Sequence, residues 1–125
     1  MLLLPLTNIK MTKLNEKLSK TWTAQIYIAG QKETIEARLR FLVMAGACVT
    51  VEPARYIFTG GSEDGVRIGL IQYPRFEKPE SDLAAFAVSI AKDLIETCNQ
   101  LSASVVMPGE TVWLYRAEKE GSKLP

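Results

Sequence analysis

The sequence predicts an α+β protein with a ferredoxin-like fold, in which an antiparallel sheet carries two helices on one face. Three observations support this prediction. Two segments have apolar residues at helical spacing, and the remaining apolar segments alternate with a period of two. The segments follow one another in the order β-α-β-β-α-β. A proline-glycine turn near the end also allows an extra C-terminal strand.

The length and composition suit one globular domain. The chain has 125 residues, of which 47% are hydrophobic and 23% are charged. We predict an N-terminal extension over residues 1–20, a single α+β domain over 21–116 and a polar C-terminal tail over 117–125. The apolar run near the N-terminus is too short to span a membrane or to serve as a signal peptide. We therefore expect a cytoplasmic protein.

The first half of the domain predicts two strands and a helix. Residues 22–29 alternate between apolar and polar, which is typical of a half-buried strand. Residues 31–45 have an apolar stripe at helical spacing and end before Gly46, where a helix-ending glycine belongs. Residues 47–59 are β-branched and aromatic but contain Pro53. A proline removes a ladder donor, so we predict a long, kinked strand at an edge of the sheet.

The glycine-rich segment "TGGSEDGVRIG" raises the question of a phosphate site. Gly60 and Gly65 have the spacing of P-loop glycines, but Val66 and Arg67 stand where that motif requires lysine and serine or threonine. The two acidic residues between the glycines would repel phosphate. We predict a hairpin loop of about five residues, followed by a strand over residues 65–73.

The second half predicts the other helix and the end of the sheet. Residues 82–100 carry an apolar stripe at helical spacing, and Ser81 is the candidate N-cap. Pro108 and Gly109 separate two short strand-like runs, 103–107 and 111–116. Either both runs pair with the main sheet or only one of them does.

The composition excludes several kinds of chemistry. The chain has no histidine, so it has no Ser-His-Asp or Cys-His pair and no histidine-ligated zinc site. Cys48 and Cys98 are predicted to be buried free thiols. We expect no metal and no cofactor. A net charge of +1 without a basic stripe argues against nucleic-acid binding, as does the absence of the stacking aromatics of an RNA-recognition strand at Ile68 and Leu70.

Two regions are candidates for binding. If the apolar side chains of the strands face the helices, the opposite, open face carries Tyr27, Ile71 and Tyr73, and Trp113 and Tyr115 join them in one of the two possible registers. The loop "QYPRFEKPE" is rich in residue types found at binding hot spots. Arginines at 67 and 75 could hold an anionic group. The residues predicted to contact a ligand or partner are Tyr27, Arg67, Tyr73, Arg75, Phe76 and Trp113.

From these features, we expect first a small non-enzymatic interaction or regulatory module that forms a homodimer through the open sheet face. Its expected partners are a second copy of the chain and an unidentified protein or small anionic ligand, but no membrane. One alternative is a small-ligand sensor or carrier. The other is a small histidine-free enzyme, although the sequence reveals no nucleophile–base pair and we assign no catalytic residue.

Overall fold

A computed structural model describes residues 12–117 of the chain. Its helices and strands follow one another as β1 (Thr23–Ala29), α1 (Lys32–Leu42), β2 (Thr50–Phe58), β3 (Gly61–Ile71), α2 (Glu80–Thr97), β4 (Ser102–Met107) and β5 (Glu110–Tyr115). A single 3-10 turn, Pro74–Phe76, connects β3 to α2. The predicted α+β class is confirmed. No helix within the described residues is long and apolar enough to cross a membrane.

The five strands form one antiparallel sheet in the spatial order β2-β3-β1-β4-β5. The first strand along the chain therefore lies at the centre, between β3 and β4. The extra C-terminal strand is present, because β5 pairs with β4 along its length. β2 forms one edge of the sheet. An edge strand accommodates Pro53 because one of its sides has no ladder.

The core lies between the two helices and one face of the sheet. Ile26 and Ile28 of β1 are fully buried there, with Ile35 of α1 and Leu94 of α2. Both helices contribute to this single cluster and therefore lie on the same face. Because side chains alternate along a strand, the neighbours of these isoleucines project from the other face. No helix within residues 12–117 covers that open face.

An ion pair joins the two helices at their partly exposed surface. The Arg38 side chain donates from Nε and Nη2 to the two carboxylate oxygens of Asp93, at 2.7 and 2.8 Å. These hydrogen bonds, with another from the Thr97 hydroxyl, hold the pKa of Asp93 below its usual value. The bidentate geometry fixes the relative position of α1 and α2 more tightly than a single contact would.

The hairpin between β2 and β3 corrects the sequence prediction. The expected five-residue loop is wrong, because the ladder continues until Phe58 faces Gly61 and leaves a turn of two residues. The polar residues 62–64 belong to β3. Arg55 on the opposite strand stabilises them, with Nη1 at 2.7 Å from Asp64 Oδ1 and Nη2 at 3.0 Å from Ser62 Oγ. The expected kink is also absent, since the register is continuous through Pro53.

Several other boundaries differ from the sequence prediction. The first helix ends at Leu42, three residues before the predicted end, and Gly46 follows in a turn with a φ of +107°. β2 begins at residue 50 rather than 47. The N-cap of α2 is Pro79 rather than Ser81, and this helix ends before Asn99, whose φ is +53°.

Candidate functional site

The open face of the sheet carries a row of large and polar side chains. The strand register places Tyr27 beside Arg67 on one neighbouring strand and beside Ser104 on the other. Glu52 and Trp113 continue the row to the two edges. All five residues are linked as direct cross-strand partners, so their side chains project from the same face.

A shallow groove of about 220 Å³ lies along one end of this face, and we call it the sheet-face groove. Small residues of β1 and β4, Ala29, Ser102 and Ser104, contribute to its floor. Large side chains flank this floor on both sides. The sheet-face groove is defined by Tyr27, Tyr56, Phe58, Glu63, Ser104 and Trp113.

On one side of the groove, the position of the Tyr56 ring is fixed by its neighbours. The ring lies against Gly65, where an added Cβ would come within 2.5 Å of Tyr56 Cε2. The Tyr56 hydroxyl donates a hydrogen bond to the carbonyl of Val66. Burial raises the pKa of Tyr56 above its ordinary value, so the phenol stays neutral at physiological pH. The result is a rigid, uncharged aromatic surface.

The opposite side is also aromatic. The rings of Trp113 and Tyr115 are stacked, with centroids 4.1 Å apart and planes inclined by 21°. Both rings remain about half exposed, at 47% and 55%. Tyr27 lies between the two sides, and its hydroxyl donates to Gln25 Oε1 at 2.8 Å. Trp113 and Tyr27 line the groove and offer aromatic surface to a ligand there, whereas Tyr115 lies outside the lining and packs on the Trp113 ring.

The charges near the groove favour a cationic group over an anionic one. Glu63 is exposed and is the charged residue of the groove lining, which includes no lysine or arginine. Arg67 lies in the adjacent row, but its Nη2 is 2.7 Å from Glu52 Oε2. This hydrogen bond raises the pKa of Arg67, and the Glu52 carboxylate balances the positive charge of the guanidinium. The structure therefore does not support Arg67 as a free anion-binding side chain.

A second cavity, of about 370 Å³, lies at the end of β3 next to the first two turns of α2. We call it the loop pocket and define it by Cys48, Tyr73, Arg75, Phe76, Lys78, Leu83 and Phe86. The Cys48 thiol beside it, together with burial, raises the pKa of Tyr73 to about 12. Cys48 is exposed and Cys98 is half-buried, so the predicted burial of both thiols is wrong.

The six residues predicted from the sequence fall into separate places. Tyr27 and Trp113 meet in the sheet-face groove, whereas Tyr73, Arg75 and Phe76 meet in the loop pocket. The sequence reasoning missed three further groove residues, Tyr56, Phe58 and Glu63. A usable signal existed. Val51 faces the core, so side chains that alternate without interruption along the strand place Tyr56 on the open face. The predicted kink at Pro53 and the predicted five-residue loop broke this alternation, and Tyr56 was therefore not assigned to a face.

Comparisons with known proteins bear on the fold. No protein-family model and no curated protein sequence matches this chain. Among solved structures, it is similar to a phage SAM lyase in the apo state, with 18% identity over 86% of this chain and 99% of that one and a TM-score of 0.59. It is also similar to a phage SAM lyase in complex with S-methyl-5'-thioadenosine, with 16% identity over 84% and 97% of the two chains and a TM-score of 0.56.

These similarities correct the leading functional expectation. At this level of identity they establish a shared fold. The matched structures are of an enzyme, one of them with a small ligand bound, so the prediction of a non-enzymatic homodimeric interaction module is wrong. Self-association itself stays a prediction, because a single chain does not test it.

Proposed function

We propose that this chain is a lyase that binds a sulfonium nucleoside of the S-adenosylmethionine class in the sheet-face groove and breaks a carbon–sulfur bond in it. The observation that carries the proposal is the combination of aromatic sides with one carboxylate and no lining cation. The fold shared with a phage SAM lyase supports the same reaction class. Of the expectations from the sequence, the histidine-free enzyme is the one that this proposal develops.

The groove suits the two chemical features of such a substrate. A purine ring stacks on aromatic side chains, and Trp113 and Tyr56 present such faces on opposite sides of the floor. A sulfonium cation is attracted to the π face of an aromatic ring and to a carboxylate. Tyr27 and Glu63 supply these two groups within the same groove. An anionic nucleotide would instead be repelled by Glu63.

The proposed reaction balances without a cofactor or an external base. An oxygen of the substrate's own carboxylate forms a bond to the carbon that carries the sulfonium, and the carbon–sulfur bond breaks. The electron pair of that bond stays on sulfur, which becomes the neutral thioether of S-methyl-5'-thioadenosine. The aminobutyrate part leaves as a lactone. No proton is transferred, so the absence of histidine from the sequence is no obstacle.

The residues of the groove would contribute by orientation and by excluding water. The step joins a carboxylate to a carbon beside a cation and cancels both charges. Such a step is favoured where water no longer solvates those charges. Rings packed against the substrate remove that water, and a fixed floor holds the reacting atoms in line. Glu63 acts in binding, because its attraction for the sulfonium is strongest before the bond breaks.

The test is to incubate the purified full chain with S-adenosylmethionine and to measure S-methyl-5'-thioadenosine by liquid chromatography–mass spectrometry. A blank without protein corrects for spontaneous breakdown. We expect protein-dependent product formation, with a loss of roughly tenfold in kcat/KM in Glu63→Gln and in Trp113→Leu. For Glu63→Gln the loss is expected mainly in KM.

Matched controls lie on the helical side of the molecule. Glu33→Gln removes an exposed carboxylate of α1, and Phe41→Leu removes an exposed ring of the same helix. Both variants should retain the full rate. The proposal is wrong if no product forms above the blank and S-methyl-5'-thioadenosine produces no calorimetric binding signal. If product forms but the two groove variants match their controls, the site assignment is wrong.

A further inference from the structure

The loop that follows β3 is closed by one buried amide side chain. Gln72 is only 8% exposed. Its Nε2 donates to the Lys78 carbonyl at 2.7 Å, and its Oε1 accepts from the Lys78 backbone N–H at 3.0 Å. This pair of hydrogen bonds brings both ends of residues 72–78 together. The Phe76 N–H also donates to the Tyr73 carbonyl at 2.9 Å, which fixes the turn inside the loop.

The loop closed in this way forms one side of the loop pocket. Its volume of about 370 Å³ lies within the range of small-ligand sites, roughly 300–1,000 Å³. The other sides are mainly apolar and include Leu70 of β3 with Leu83 and Phe86 of α2. A cavity with this lining accommodates an apolar group better than it accommodates water.

The charged groups of this pocket are both cationic. Arg75 and Lys78 line it, no acidic residue does, and neither cation has an ion-pair partner within residues 12–117. Glu77 precedes Lys78 in the chain, but it is not part of the lining and forms no ion pair within residues 12–117, and the carboxylate of Glu80 is 3.7 Å from Lys20 Nζ. The Arg75 guanidinium lies over the Phe76 ring, 5.1 Å from its centroid, and both residues line the cavity.

We propose that the loop pocket is a second small-molecule site that binds an amphipathic carboxylate, with the apolar body between Phe76 and Leu83 and the carboxylate at Arg75 and Lys78. The ligand class follows from the charge of the lining, and it is opposite to the cationic substrate proposed for the sheet-face groove. The two sites lie apart and share no lining residue. This inference does not depend on the lyase activity.

The test compares an anion with its neutral isostere. The full chain is titrated with naphthalene-2-carboxylate and with naphthalene-2-carboxamide by isothermal calorimetry, at constant ionic strength. We expect saturable binding of the carboxylate with a Kd at least roughly tenfold lower than that of the carboxamide. The carboxylate should also raise the melting temperature, since it binds the native state.

Variants then locate the site. Arg75→Gln and Lys78→Gln keep similar side-chain lengths and should each weaken carboxylate binding by roughly fivefold to tenfold. Arg40→Gln, which removes an exposed cation of α1, is the matched control and should bind as the parent does. Gln72→Glu removes the donor to Lys78 and should weaken both naphthalene compounds, because the side of the cavity opens.

Three results would overturn the proposal. The first is no binding of the carboxylate at roughly 1 mM. The second is equal affinity for carboxylate and carboxamide, which would mean that the cations take no part. The third is an unchanged Kd in both Arg75→Gln and Lys78→Gln, provided that their far-ultraviolet circular dichroism and melting temperatures match those of the parent.

Discussion

Adding one methyl group at Gly65 tests how closely the hairpin is packed against the groove. An alanine Cβ there would lie 2.5 Å from the Ile28 carbonyl oxygen, 2.5 Å from Tyr56 Cε2 and 2.8 Å from Ala29 Cα. Two of these three atoms belong to the backbone of the central strand and cannot rotate away. Gly65→Ala should therefore force β2 and β3 to shift relative to β1.

The expected cost follows from two opposing terms. Overpacking of this kind costs about 1–3 kcal/mol. Replacing a strand glycine with alanine stabilises by about 0.5–1 kcal/mol through the unfolded state. The net effect for Gly65→Ala is a free energy of unfolding lower by up to about 2.5 kcal/mol, and by about 1 kcal/mol near the middle of the two ranges. The matched control is Gly69→Ala on the same strand, where the Cβ would meet only the exposed side chain of Thr50, which can adopt another rotamer.

Urea unfolding followed by tryptophan fluorescence measures the difference, because Trp22 is buried and Trp113 is half exposed. We expect the control to be as stable as the parent or more stable by up to about 1 kcal/mol. If Gly65→Ala is as stable as Gly69→Ala, the reasoning about close packing is wrong. Gly65→Ala should also weaken S-methyl-5'-thioadenosine binding, because it displaces the Tyr56 ring, whereas Gly69→Ala should not.

Three further predictions use other parts of the chain. Asp93 has a lowered native pKa, so its contribution to stability is complete above the unfolded-state pKa of about 3.9 and is lost as the pH falls through the native value. In urea titrations between about pH 6 and pH 2, the free energy of unfolding should therefore fall less steeply with decreasing pH in Asp93→Asn than in the parent. An equally steep fall in both proteins would contradict this. Asn99 has a φ of +53°, so Asn99→Ala should lower the free energy of unfolding by about 1 kcal/mol and Asn99→Gly should not. An alanine variant as stable as the parent would count against this. We also expect self-association, which sedimentation velocity would detect as a species above the 13.9 kDa monomer; a monomer at every concentration would disprove it.

The sequence was sufficient for the parts of the fold where one pattern dominates. β1 alternates strictly because it is central and one of its faces is fully buried, as Ile26 and Ile28 demonstrate. The two helices carry apolar stripes because each packs on the sheet along one side. The helix ends were less predictable. A proline rather than Ser81 precedes α2, and local residue preferences do not determine which of two neighbouring residues begins a helix.

The two-residue turn of the hairpin could not be predicted from the sequence, because the hairpin is stabilised by contacts between its two strands. Residues 60–65 contain glycines, a serine and two acids, a composition typical of loops. In the structure, Arg55 pairs with Asp64 and Ser62, and the Tyr56 ring covers Gly65. These partners lie on the other strand, so their effect depends on a register that the turn length determines.

The difference between the predicted five-residue loop and the observed two-residue turn changed which residues were assigned to the candidate site. Tyr27 and Trp113 were predicted as open-face residues because side chains alternate regularly along the short strands that carry them. Tyr56 and Glu63 face each other across the hairpin, and they become neighbours only in the register that the two-residue turn imposes. The loop residues Arg75 and Phe76 were correctly placed outside the strands. Their pocket depends on the fixed position of α2, which no local pattern specifies.

The hairpin extends beyond the rest of the sheet, and this gives the groove two unequal sides. The last tie between β3 and the chain that follows β1 is the hydrogen bond from the Gly30 N–H to the Asp64 carbonyl, at 3.0 Å. Past that point, and within residues 12–117, segment 55–58 pairs with 61–64 and no third strand extends the ladder. Trp113 stands on a ladder continuous with the centre of the sheet, whereas Phe58 stands on a two-stranded arm. The Trp113 side of the groove is therefore held by strands that lead back to β1, whereas the Phe58 side depends on the ladder of the hairpin alone.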